Sequence, residues 1–139
     1  RAPANGGDAE LASAMDAGAI LVLSLLQSEG RFIDFLQQEL TGFDDAEIGG
    51  VARVVHRGCG KVLHEYLQVE AIRAEPEGQR VSLAPGFDSS LVKLTGNLGG
   101  TQTVEGVLRH KGWRASEVRL PKLTDRRGAY VLAPAEIEL

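Results

Sequence analysis

Few residues in this 139-residue chain have the types and spacing that chemistry needs, and most of them lie between Gly42 and Leu67. Cys59 is the single cysteine, flanked by His56 and His64, with His110 far along the chain. A thiol nucleophile requires a neighbouring base and a depressed pKa. His56, three residues before Cys59 on a helix, is placed to supply both. Cys59 also falls on an apolar stripe, however, where a small buried thiol is the ordinary occupant. Metal binding is served worse: at about 100° per residue, His64 points well away from Cys59. Zinc would need His110 and a fourth ligand brought in by folding. No catalytic residue, cofactor or metal is assigned from these positions, so the reading leans away from an enzyme.

A second constellation is basic: Arg109, His110, Lys111, Trp113, Arg114, Arg119, Lys122, Arg126 and Arg127. Residues 106–127 hold seven Lys or Arg against two acids, Glu117 and Asp125. Basic strands with an exposed aromatic bind polyanions or acidic protein surfaces. The candidate interaction residues are therefore Arg109, Lys111, Trp113, Arg114 and Arg119, on an expected hairpin over residues 109–119. A rival reading pairs these charges with the acidic helices at residues 29–47, or leaves them solvated. Trp113, directly after Gly112, is expected in the core. The whole chain carries a formal net charge of −4, which disfavours nucleic acid as a partner. LTGNLGG and APGFD lack the Gly-x4-Gly-Lys-Ser/Thr spacing of a phosphate loop and read as hairpin turns.

The clearest element that must position these residues is a helix opening at Asp44. Asp44 reads as the N-cap and Glu47 as its capping-box partner, with Phe43 and Ile48 at the two positions of a hydrophobic staple. Ile48, Val51, Ala52, Val55, Cys59, Val62, Leu63 and Tyr66 recur at helical spacing as an apolar stripe. Arg53, Arg57, Lys61 and His64 form a separate basic stripe. Gly49, Gly50, Gly58 and Gly60 each cost up to about 1 kcal/mol in a helix interior. The reading is that a second helix, or else a ligand, approaches this backbone closely.

Ahead of it, residues 1–7 read as a flexible lead-in and Asp8 or Ser13 as the start of a first helix. That helix is nearly all apolar from Ala17 to Leu26, a run too short to span a bilayer, so it is expected in the core or under a partner. Its natural stop is Gly30. RFIDFLQQEL continues as a helix to a C′ glycine at Gly42. After Tyr66 the apolar pattern alternates, and turn signals arrive every eight to twelve residues. Strands are expected near Leu67–Ala74, Arg80–Ala84, Leu91–Thr95, Thr103–His110, Trp113–Leu120, Tyr130–Ala133 and Glu136–Leu139. The fold class is α+β: two to three N-terminal helices (8–66) packed on a C-terminal antiparallel sheet or small barrel (67–139) of about six to seven strands, in one domain over 1–139. A lone cysteine suits a reducing, cytoplasmic compartment. The absence of an initiator methionine at Arg1 suggests a fragment.

The strings LLQSEGRFIDFLQQEL, DAEIGGVARVVHRGCGKVLHEYL, RVSLAPGFDSSLVKLTGN, GVLRHKGWRASEVRLPKL and VLAPAEIEL together resemble a bacterial domain-of-unknown-function family encoded near DnaK-like chaperone genes. The resemblance covers roughly residues 17–139. It implies no enzyme activity and no site residues. It does imply a protein partner, with a DnaK-like chaperone as the candidate, and an N-terminal segment that is amphipathic and basic in similar proteins. That segment leaves membrane-peripheral attachment open, and a homo-oligomer stays open as well. The functional expectation is a non-enzymatic interaction module accessory to a chaperone. The alternatives are a polyanion-binding or acidic-protein-binding domain centred on residues 109–119, and a thiol-dependent enzyme using Cys59 and His56.

Overall fold

The computed structural model describes residues 6–96, 103–122 and 130–139. The expected lead-in lies almost wholly outside them, as do Arg126, Arg127 and most of the PKLTDRRG turn. The elements run α1 (Gly6–Gly30), α2 (Phe32–Gln37), α3 (Asp45–Val62), a π-helical turn (Leu63–Leu67), then β1 (Val69–Ala71), β2 (Arg80–Leu83), β3 (Val104–Val107) and β4 (Trp113–Ala115). They fall into two compact units, a helical one (Arg1–Gln68 with Glu117–Leu139) and a strand-bearing one (Val69–Ser116).

In the helical unit, α3 starts where its cap requires. Asp44 has extended backbone, and its Oδ1 accepts a bond from the Glu47 amide at 2.7 Å, satisfying a first-turn donor that the helix itself cannot pair. Asp44→Ala is expected to lower stability by about 1 kcal/mol in a denaturant titration. A change within error would show that this cap does not hold the helix. At its other end α3 passes into the π-helical turn and stops at Gln68, which takes a left-handed φ of 48°.

One of the four glycines of α3 meets the close-approach expectation. A Cβ on Gly58 would lie 2.1 Å from the Glu29 carbonyl oxygen, and one on Gly30 would lie 2.6 Å from Cys59 Sγ, so α1 and α3 touch backbone to backbone there. A Cβ on Gly49, Gly50 or Gly60 would meet nothing within 4 Å. Gly30 is thus inside α1 because of this crossing, and the break falls one residue later. Arg31 adopts the left-handed conformation, φ 55°. α2 then ends at Gln37, short of Leu40, and Gly42 (φ 96°) serves a turn closed by the Phe43 amide on the Leu40 carbonyl, instead of acting as C′ of the helix.

The strand-bearing unit departs from the expected sheet or barrel of six to seven strands. Among the described residues there are four strands in two separate antiparallel ladders. β1 pairs with β4 (Glu70 opposite Arg114) and β2 with β3 (Ser82 opposite Glu105). Each strand is paired on one side, so no barrel closes. The expected 109–119 hairpin is not formed either, because β3 and β4 belong to different ladders. Residues 108–112 carry the chain between them, with Gly78 donating to the Leu108 carbonyl and Ile72 to that of Gly112. Gly112 holds φ 74°, where a larger residue is strained, and a Cβ there would lie 3.0 Å from Ile72 Cδ1, so that side chain would have to shift.

The remaining expected strands fail for local reasons. Before Leu91–Thr95, Asp88 Oδ1 accepts from the amide and hydroxyl of Ser90, and Leu91 N donates to the Asp88 carbonyl, folding the segment into a turn. Those bonds from Ser90 also hold the Asp88 carboxyl below its ordinary range. Residues 130–139 belong to the helical unit and form no strand; there the Tyr130 hydroxyl bonds Asp16 Oδ2 of α1 at 3.1 Å.

Candidate functional site

Little apolar surface is buried. Among the described residues only Val55, Val62 and Leu83 are buried hydrophobic side chains, while Leu36, Leu40, Phe43, Val51 and Val54 stand exposed around α2 and α3. These outlying side chains, apart from Leu36, converge on one groove. The turn at Gly42 returns the chain from α2 to α3, so Phe35 and Leu40 face Phe43, Ile48, Val51 and Val54 across a space of about 440 Å³. Arg31, Asp34 and Glu47 stand at its edge and supply both signs of charge. The two staple residues, Phe43 and Ile48, are thus part of a groove wall. Val54 was absent from the apolar stripe read from the sequence, since it lies to one side of it. Its exposure on a third turn of the same wall becomes visible only once α2 is in place.

The first apolar helix is longer than its uncharged run. Gly7–Gly30, at 24 residues, is about 36 Å of helix and is long and apolar enough by length and composition to cross a membrane. The run Ala17–Leu26 by itself is still too short to span, and the extra length comes from flanking residues that include Asp8, Glu10, Asp16 and Glu29. A core helix and a signal sequence meet the same criterion.

Cys59 is part-buried. Its thiol donates to the Leu26 carbonyl of α1 at 3.8 Å, and burial pushes its pKa up. That direction opposes thiolate formation, and the thiol proton is committed to α1. His56 is exposed on another face, where it lines an open depression with Arg53, Arg57, Lys61 and His64. Among the described residues no group of three or more His, Cys, Asp or Glu is arranged to hold a metal ion.

The basic constellation is divided. Arg109 is exposed, and Lys111 Nζ sits 6.0 Å from the centroid of the Trp113 ring. Trp113 is 65% exposed, against the expectation of a core position: among the described residues β4 has a strand partner only in β1, and a lysine ammonium stands over the ring. Arg114 pairs across the ladder with Glu70 at 3.3 Å. Arg119 belongs to the helical unit, where it grips Glu117 at 2.8 Å and its amide donates to the Tyr66 carbonyl. The Glu117 bond raises its pKa further. Arg114 and Arg119 therefore each have an acidic partner within their own unit.

Helices followed by a few antiparallel strands, with an exposed apolar groove and no metal cluster among the described residues, define an α+β domain of uncharacterised function. The chain belongs to the domain-of-unknown-function family DUF2760, whose model matches residues 15–138. No curated protein and no solved structure matches it.

Proposed function

We propose that this domain is a non-enzymatic interaction module that receives an amphipathic helix of a partner protein in the groove between α2 and α3. The observation that carries the reading is the wall itself. Phe43, Val51 and Val54 are about half exposed beside a core of only a few buried residues, so covering them is favourable at about 25 cal/mol per Å² of apolar surface removed from water. The edge charges, Arg31 against Asp34 and Glu47, suit the mixed polar flanks of such a helix better than a uniformly charged partner. The family resemblance supplies the candidate partner, a DnaK-like chaperone, and with it a bacterial, cytoplasmic setting.

Purified domain and a DnaK-like chaperone are expected to associate in a titration, and Val51→Ser with Val54→Ser is expected to weaken that association tenfold or more. Both side chains are exposed, so the melting temperature should stay within a degree or two. Association that ignores the double substitution would retire the groove. The thiol-enzyme alternative is separated by labelling. Cys59 is expected to react with a thiol reagent far more slowly in the folded protein than in denaturant, whereas a nucleophile would react faster when folded.

A further inference from the structure

The basic face of α3 and the apolar length of α1 meet at one place. Arg53, His56, Arg57, Lys61 and His64 surround an open depression of about 680 Å³ whose remaining lining is Ala52 and Gly60. No acid lines it, although the whole chain is net negative at −4. Among the described residues, Lys61 is the cation of this face that pairs with a carboxylate, Glu29 at 3.7 Å on the last turn of α1. There Gly58 rests on the α1 backbone, so the cationic face begins beside the end of the apolar helix. Gly60 has no packing reason to be glycine, since a Cβ there would meet nothing within 4 Å. With Ala52 it keeps the floor of the depression low between the long cationic side chains. At the far end of α1, Leu11 and Met15 are 61% and 67% exposed among the acids Asp8, Glu10 and Asp16, so the stretch that α1 offers to hydrocarbon is the uncharged one from Ala17 to Leu26.

We infer that these two features form a docking surface for an anionic lipid bilayer, with α1 entering the acyl region and the α3 face resting on lipid phosphates. Cations flanking an apolar helix are the arrangement that lipid interfaces select: guanidinium and ammonium groups pair with phosphate while the helix takes the hydrocarbon. Lys61 and Glu29 mark the level at which the one environment gives way to the other. The net charge of the chain makes the inference specific. A molecule at −4 is repelled by an anionic surface as a whole, so any preference for such a surface must come from a local face.

The test is flotation of the full chain with vesicles of phosphatidylcholine alone and with about 30% phosphatidylglycerol, at low salt. Partition into the anionic vesicles is expected to be greater by on the order of a hundredfold, at about fivefold for each cation near the surface. Arg53→Ser, Arg57→Ser and Lys61→Ser together should abolish the preference. All three side chains are exposed, so the melting temperature should hold, and Arg53→Lys with Arg57→Lys should keep most of the preference even if the serine variant folds poorly. Equal partition into both vesicle types, no partition into either, or a preference that survives in a folded serine variant would each overturn the inference. So would displacement from anionic vesicles by millimolar inorganic phosphate at constant ionic strength, which would make the depression a site for free phosphate and not for a headgroup.

Discussion

Gly58→Ala is expected to separate α1 from α3 and to lower stability by about 3 kcal/mol or more, a fall of roughly 10 °C in melting temperature. The added methyl would sit 2.1 Å from the Glu29 carbonyl oxygen, 2.5 Å from Gly30 Cα and 2.7 Å from the Glu29 carbonyl carbon. All three are backbone atoms, so no rotamer change relieves the overlap and the helices must part by about an ångström. Parting them strips contacts from a core that holds, in this unit, only Val55 and Val62 as buried hydrophobic residues among those described. It also breaks the Cys59 to Leu26 bond and the Lys61 to Glu29 pair. Gly49→Ala and Gly50→Ala are the controls. A Cβ at either meets nothing within 4 Å, so each should be neutral or stabilising by up to about 1 kcal/mol. A Gly58→Ala protein that melted with the controls would show that the backbones do not touch at this crossing.

Those glycines also show how far the sequence could be read. Propensity charges all four alike, and the spacing only says that something approaches; which one is pressed against α1 depends on where another helix crosses. The Asp44 cap was legible because donor and acceptor lie three residues apart and no distant partner is needed. The helices-then-strands order was legible for a similar reason, as a change of period at Tyr66. Strand pairing was not. The alternation in Thr103–His110 and Trp113–Leu120 suggested a hairpin around His110–Gly112, yet each strand found its partner far upstream, β3 in β2 (Leu83 opposite Val104) and β4 in β1 (Ala71 opposite Trp113). Alternation states that a strand has two faces and is silent on which edge it joins. Trp113, whose place directly after Gly112 suggested the core, lies on the surface of a two-stranded ladder. The groove needed α2 to stop at Gln37 and Gly42 to turn the chain. Phe43 and Ile48 were therefore visible as a local staple, while the wall they share with Val54 was not.

The break between α1 and α2 depends on a residue whose type announces nothing, and its removal is the second large effect expected. Gln27 is 8% exposed. Its Oε1 accepts from the amides of Ile33 at 3.0 Å and Asp34 at 3.1 Å, and its Nε2 donates to Asp34 Oδ2 at 2.9 Å. Arg31, at the N-cap of α2, offers no side-chain bond to those amides and holds a left-handed backbone that costs on the order of 1 kcal/mol or more for a non-glycine residue. A side chain from the preceding helix thus does the work of the cap. Six residues cannot sustain a helix alone, so α2 depends on that bridge, helped by the Arg31 to Asp34 pair at 2.8 Å, which is too exposed to hold it alone. Gln27→Leu keeps the bulk and leaves two amides without their acceptor. Stability is expected to fall by about 2 to 4 kcal/mol, with amide exchange at Ile33 and Asp34 accelerating more than at α3. Gln27→Glu keeps the acceptor, loses the donor and sets a carboxylate against Asp34, so it should retain slow amide exchange while costing stability. Because α2 carries Phe35 into the groove, Gln27→Leu should also weaken partner association although Gln27 does not line that groove. Unchanged exchange at Ile33 and Asp34 in the leucine variant would mean that α2 stands without Gln27.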